Sequence, residues 1–294
     1  MSFHQHQLSV QSHIKPFPSQ LEKLGASDAR KPVMQNISSC RAAEMDDTWH
    51  RLRYEAGTLV LEEPILSNLA RVAILDQTSI AGSIAYTLSR SLAGAEVSEE
   101  TLRWTILSAF DSDRALAGRV LEDIVAVYNC DPACRKLLQP ILFFKGFQAL
   151  QGFRIAHYYW NNNRRDLAAY IQTRVAEVFA IDIHPAAKIG RSVVLDHGHS
   201  IVVGETAVIG DNVTILHSVT LGGTGKENKD RHPKIGNNVT IGAGASVLGN
   251  IKIGDGAKIA AGSVVLRNVL TEETVAGVPA KPIKGEQAKK VVAI

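Results

Sequence analysis

Aromatic residues are missing from the last 113 positions of this 294-residue chain; all 17 Phe, Trp and Tyr lie within residues 1–181. So long a segment without rings excludes an ordinary globular core, where rings supply much of the buried area. It calls for an interior too narrow to hold one. Excess charge is also missing: 32 Lys and Arg stand against 29 Asp and Glu, a net +3, which excludes the strong basic field of a nucleic-acid binder. Apolar runs such as Val72–Leu75 fall far short of the ~20 residues of a membrane span. Cysteine is scarce. Cys40, Cys130 and Cys134 are too few for a disulfide framework. Cys130 and Cys134, one helical turn apart, lack the further ligands that zinc requires and read as small thiols. With 45% hydrophobic and 21% charged residues, disorder throughout is excluded, and the length suits about two domains.

What is present in the ring-free segment is glycine, 16 of the 23, and a repeat. Aliphatic residues recur every six positions at Ile183, Ile189 and Leu195. They recur again at Val203, Ile209, Ile215 and Leu221, and once more from Ile235 through Ile241, Val247, Ile253 and Ile259 to Val265. A period of six is neither helical nor a strand alternation. It fits a hexapeptide solenoid, with short strands forming the faces of a triangular prism and one aliphatic pointing inward per face. Glycine often follows the inward residue (Gly190, Gly210, Gly236), which predicts corners that need a permissive backbone. The phase breaks twice. Leu195 to Val203 is eight residues, enclosing His197 and His199; Leu221 to Ile235 is fourteen, enclosing His232. Loops on a rigid scaffold often carry function.

The earlier part has helical periodicity over 64–75, 78–93 and 99–129, with Ser98 and Thr101 at an N-cap position. Phe143–Arg165 predicts a long helix leading into the solenoid. Residues 1–45 are polar and aperiodic, read as a flexible extension with no stretch fit for a signal peptide. The predicted fold is therefore α+β: an all-helical domain over 46–180, a parallel β-helix over 181–270 and a tail over 271–294.

Specific motifs stand on this frame: Asp182-Ile183-His184-Pro185, Asp196-His197, Gly204-Glu205-Thr206, Leu221-Gly222-Gly223-Thr224-Gly225-Lys226 and Asp230-Arg231-His232-Pro233. With Asp131-Pro132-Ala133 and Phe144-Lys145-Gly146-Phe147 in the helical half, the chain over about 46–285 resembles the serine O-acetyltransferases. These are hexapeptide acyltransferases built on a left-handed parallel β-helix. One departure is that Gly198-His199-Ser200 follows the Asp-His pair where the family usually has Ala-Thr-Gly.

The resemblance implies acetyl transfer from acetyl-CoA to the hydroxyl of L-serine in cysteine biosynthesis, with no metal. A serine hydroxyl is a poor nucleophile at neutral pH, so a positioned base must take its proton; imidazole, with an ordinary pKa near ~6.5, suits the task. The resemblance puts His197 in that role and Asp182, fifteen residues earlier, behind it as the orienting acid. It assigns Asp131 and Asp196 to the substrate amine, and Arg231 with His232 to its carboxylate, the latter two from a neighbouring subunit of a trimer. It places Gly222, Gly223, Thr224, Ala243, Lys258 and Ala261 along acetyl-CoA. The developing oxyanion needs a donor, and backbone N–H groups of a glycine-rich loop such as Gly222–Gly223 suit that. It further implies L-cysteine as a feedback inhibitor, a homotrimer or dimer of trimers, a cytoplasmic location, no nucleic-acid or membrane partner, and docking of the terminal Ile294 into O-acetylserine sulfhydrylase.

Plainer readings compete. Asp131-Pro132 reads as a helix N-cap with Pro at N1, Asp182 as a corner cap, Lys258 as a solvated lysine and His184 as structural; His199 and His217 have no motif support. The alternatives for the whole chain are a hexapeptide acetyltransferase for a sugar or xenobiotic hydroxyl, a zinc lyase on the same solenoid, and a scaffolding solenoid.

Overall fold

The computed structural model describes residues 41–226 and 228–284, so most of the segment read as an extension, and Ile294, lie outside the described residues. Helix α1 (Arg41–Glu62) begins inside that segment. The pattern over 64–75 becomes a 3-10 turn (Pro64–Leu66), α2 (Ser67–Ala70) and a π-helical turn (Arg71–Leu75). Helix α3 (Ile80–Leu92) follows, capped by Ser79, and α4 (Glu99–Ser112) is capped by the Ser98 hydroxyl, which accepts from Thr101 N at 3.2 Å. The periodicity over 99–129 conceals a break. Asp113 takes an extended backbone and its carboxylate accepts from Ala115 N, starting a new helix, α5 (Ala115–Cys130). Helices α6 (Leu138–Phe143) and α7 (Lys145–Asn161) come next. The long helix predicted over Phe143–Arg165 stops at Asn161, because Asn163 turns left-handed (φ 60°), a conformation asparagine tolerates. It is α8 (Arg165–Phe179) that leads into the solenoid.

The solenoid winds three short strands per coil. The first coil is β1 (Ile181–Ile183), β2 (Lys188–Ile189) and β3 (Val194–Leu195). The second is β4 (Ile201–Val203), β5 (Val208–Ile209) and β6 (Thr214–Ile215). The third is β7 (Thr220–Gly222), β8 (Lys234–Ile235) and β9 (Thr240–Ile241), and the fourth is β10 (Ser246–Leu248), β11 (Lys252–Ile253) and β12 (Lys258–Ile259). A fifth holds β13 (Val264–Val265) and β14 (Thr274–Gly277), and β15 (Ala280–Ile283) folds back antiparallel on β14, so part of the predicted tail is sheet. Like-placed strands stack in parallel into three sheets: β1-β4-β7-β10-β13, β2-β5-β8-β11 and β3-β6-β9-β12-β14. Of the thirteen aliphatics in the six-residue pattern all but Ile189 are buried.

Glycine after the inward aliphatic has a different cause from the one its position suggests. Gly190 and Gly210 do not adopt positive φ; an added Cβ would come within 2.6 Å and 2.7 Å of the carbonyl oxygens of Gly210 and Gly236 on the next coil. Close stacking, not backbone freedom, demands the missing side chain. The left-handed corners fall two positions later, at Ser192, Asn212 and Asn238 on one edge, and at Ser200 and Ser218 on another. Side chains tie the coils there: Asp211, Asn237 and Asp255 accept from the backbone N–H of Arg191, Asp211 and Asn237 at 2.8, 2.9 and 2.7 Å.

A buried ion pair joins helices to solenoid. Asp123 on α5, fully buried, accepts from Arg154 Nε (2.8 Å) and Nη2 (3.0 Å) on α7, from Gln151 Nε2 (3.0 Å) and from Val193 N (3.2 Å); Arg154 also donates to Gly190 O (2.9 Å). Both carboxylate oxygens of Asp123, and Nε and Nη2 of Arg154, thus reach fixed partners, which a buried ion pair requires.

Candidate functional site

Where the end of α5, the start of α7 and the first coil meet, they enclose a cavity of about 360 Å³. Its walls are Val127, Phe143, Phe144, Phe147, Val194 and Leu195; its polar groups are Asp131, Lys145, Asp196 and His197. Three residues singled out from sequence, Asp131, Asp196 and His197, therefore converge from segments 65 residues apart. The close approach depends on two glycines. A Cβ on Gly146 would stand 2.0 Å from Leu195 O, and one on Gly198 would stand 2.3 Å from Gly146 Cα. The departure at Gly198 thus lets the first turn of α7 rest directly on the loop that carries His197.

His197 adopts positive φ (54°), and its side chain is 75% exposed, open to the cavity mouth. Its Nε2 lies 3.9 Å from Asp196 Oδ1 and its ring meets that of His217 at right angles. Asp131 is not a helix N-cap: it ends α5, and its Oδ1 accepts from Ala133 N at 2.7 Å in a tight turn. Asp182, on β1, is exposed, accepts from Gln172 Nε2 of α8 at 2.6 Å, and makes no hydrogen bond or ion pair with His197.

Arg231 and His232 lie elsewhere, at the corner between the first and second sheets. Arg231 donates to Glu205 Oε2 at 2.7 Å, which holds the Glu205 carboxyl below its ordinary range. His232 is buried; its Nδ1 accepts from Thr206 N, while the Thr206 hydroxyl oxygen accepts from the N–H groups of Arg231 and His232. That pattern fixes the neutral tautomer with the proton on Nε2, and burial, then Arg231, lowers the His232 pKa. The His184 ring, edge-on to Trp160 at 5.0 Å, is likewise shifted down by burial.

The residues predicted to meet the cofactor divide in the same way. Ala243 and Ala261 continue, coil by coil, the corner that carries His197 and His217, with Gly262 N donating to Ala243 O at 2.8 Å. Gly222, Gly223 and Thr224 open the loop that ends in Arg231 and His232. Lys258 is exposed on β12. Among the described residues no three His, Cys, Asp or Glu side chains converge to hold a metal ion. Cys130 and Cys134 are free thiols, and burial pushes Cys134 up to about 11.

Three wall residues, Phe144, Lys145 and Phe147, escaped assignment from sequence, although their motif was visible; nothing in spacing alone shows that α7 begins at the cavity. Glu205 and Thr206 were missed because each acts through a partner about 26 positions away.

Comparisons with known proteins bear on the family and the fold. The family described as serine acetyltransferase, N-terminal, matches residues 48–152, and six bacterial transferase hexapeptide repeats match residues 232–267. A serine acetyltransferase of Buchnera aphidicola is 46% identical over 243 residues, 82% of this chain and 89% of that protein. A soybean serine acetyltransferase complexed with serine superposes with a TM-score of 0.80 at 46% identity, covering 82% of this chain and 99% of that one. A Brucella abortus serine acetyltransferase in complex with coenzyme A gives a TM-score of 0.80 at 45% identity, over 82% and 97%. A serine acetyltransferase in complex with cysteine gives 0.80 at 46%, over 81% and 99%.

Proposed function

This chain belongs to the serine acetyltransferase family, and from that premise we propose how its residues share the work. The chain transfers acetyl from acetyl-CoA to the hydroxyl of L-serine, giving O-acetyl-L-serine and CoA. The observation that carries the assignment of roles is the cavity in which an open imidazole faces two carboxylates between α5, α7 and the first coil.

His197 takes the proton of the serine hydroxyl as its oxygen attacks the thioester carbonyl. The tetrahedral intermediate then collapses, the C–S bond breaks, and the imidazolium returns the proton to the departing thiolate. Asp131 and Asp196 receive the substrate ammonium group. Asp182, free of His197 in the single chain, turns from Gln172 to orient the ring once the site is complete. Arg231 offers a guanidinium fork to the substrate carboxylate, a role that requires its exchange from Glu205, and His232 donates from Nε2 beside it. L-cysteine, with the same ammonium and carboxylate, occupies the same groups and competes with serine.

The division of the site between two corners points to assembly. His197, Ala243 and Ala261 border one edge of the first sheet and Arg231, His232 and Gly222–Thr224 the other, and six residues of strand span about 20 Å. One serine cannot bridge that in one chain. A neighbour contributing its opposite corner can, and repeating such a head-to-tail contact three times closes a ring. We therefore assign a homotrimer, with pairing of two trimers through the helical half. Gly222, Gly223, Thr224, Lys258 and the two alanines line acetyl-CoA between adjacent prisms. Ile294 presents a carboxylate on an aliphatic tip to O-acetylserine sulfhydrylase. The free thiols suit a reducing, cytoplasmic setting. Among the described residues no helix is long and apolar enough to cross a membrane.

The test is release of free CoA thiol on addition of L-serine, set against a panel of sugar and amino-alcohol acceptors. Serine is the preferred acceptor, and His197→Ala lowers kcat by about 10²–10⁴-fold with the fold intact. Turnover of other hydroxyls in preference to serine, or near-normal turnover by the variant, refutes the assignment. Light scattering that gives a stable monomer refutes the shared site.

A further inference from the structure

His197 has little to hold it. Its side chain is mostly exposed, no hydrogen bond reaches either ring nitrogen among the described residues, and the nearest carboxylate oxygen is 3.9 Å away. Two side-chain torsions are free to wander, yet a base must keep one nitrogen aimed at the substrate hydroxyl. The neighbouring coil supplies a second ring. His217 stands at the same corner, and its ring meets that of His197 edge to face, with centroids 6.0 Å apart and planes at 84°. This is a favoured geometry for a pair of flat rings.

The backbone of His217 is well anchored. Ser218 N donates to His199 O at 2.7 Å and Gly244 N donates to His217 O at 2.9 Å, so the backbone on which His217 sits is tied to the coils on both sides. Ser218, at φ 59°, completes the tight corner. A ring carried on a backbone tied to both neighbouring coils thus borders the His197 ring, which stands at the mouth of the cavity.

We infer that His217 is a positioning residue for His197: its ring closes off one side of the imidazole's rotation and keeps the base turned toward the substrate. The inference rests on the reading of His197 as the base. Ring contact, not titration or hydrogen bonding by His217, does the positioning, so a phenyl ring serves in its place.

The experiment compares wild type, His217→Ala, His217→Phe and His197→Ala with serine and acetyl-CoA as substrates. His217→Ala lowers kcat and kcat/KM for serine together by up to about tenfold, the size of a lost ring pair, with KM and thermal stability unchanged. His217→Phe recovers most of the loss. The inference is overturned if His217→Ala stays within about twofold of wild type, if His217→Phe is as slow as His217→Ala, or if the loss falls wholly on KM. A loss beyond about a hundredfold in both variants also overturns it, since His217 would then carry proton chemistry itself. Near-normal turnover by His197→Ala would remove the base assignment, and this inference with it, whatever the His217 variants do.

Discussion

Replacing Arg154 with Leu tests the joint between the helices and the solenoid. Arg154 is 4% exposed and Asp123 fully buried, so the change strands a carboxylate that keeps only Gln151 Nε2 and Val193 N as donors. It also leaves Gly190 O without its partner at 2.9 Å. Removing one member of a buried, hydrogen-bonded pair costs about 3–5 kcal/mol. For a domain of this size each kcal/mol lowers Tm by about 2–4 °C, so circular-dichroism melts of Arg154→Leu fall by about 6–20 °C. Asp123→Leu is penalised similarly, because a guanidinium is then left buried. The double variant carries no stranded charge but leaves Val193 N, Gly190 O and the Gln151 amide without these partners, at about 1–3 kcal/mol each. Its cost therefore falls short of the sum of the singles by about 2 kcal/mol or more, which urea unfolding measures as a coupling energy. A cost below about 1 kcal/mol for Arg154→Leu, or strict additivity in the double variant, refutes the argument that this pair is what the interface depends on.

Gly146→Ala forces a Cβ against Leu195 O, so the loop bearing His197 must move; stability falls by about 1–3 kcal/mol and kcat falls more than KM rises. Steady-state kinetics showing wild-type kcat would contradict the close contact. Gly204→Ala drives a Cβ to 2.0 Å from the His232 ring, breaking the bond to Thr206. Its expected mark is a raised KM for serine with kcat less affected, and an unchanged KM is the adverse result. His157, His184 and His232 all have pKa values lowered, burial being the largest cause in each. Unfolded imidazoles take up protons near ~6.5 while these remain neutral, so the unfolded chain binds more protons and stability declines as pH falls below that value. Glu205, shifted down by Arg231, stays ionised across this range and does not offset the loss. Urea midpoints at pH 7.5 and 5.5 should show it, and an equal or higher midpoint at pH 5.5 would be against it.

The solenoid was legible because its core is shallow and repeats. Each face sends in one aliphatic and, two positions earlier, a second buried residue such as Ile201, Ala207 or Val213, so burial is written into the spacing of Val203, Ile209 and Ile215 with no need to know what packs across from them. The helical half offers no such shortcut. Asp113 and Asn163 end helices through backbone conformations that leave the apolar periodicity unbroken, and the pattern therefore runs through them. Gly190 and Gly210 mark stacking distance between coils, which a linear sequence displays only as a residue type. At the site, the Asp196-His197 pair and Asp131 were visible as motifs. Their meeting was implied by the family resemblance and not by spacing, since it depends on Gly146 resting on Gly198, a contact between segments 52 positions apart.

The loop between β7 and β8 has one further consequence. Thr220 pairs with Ser246, 26 residues on, whereas Ser246 pairs with Val264 after 18, so the third coil is longer by eight residues and yet the rungs on either side keep step. The surplus is spent outside the prism. Chemistry at that edge can consequently drift by changes in loop length or content while the load-carrying spiral stays untouched. One residue added inside a face would instead turn every later side chain inside out.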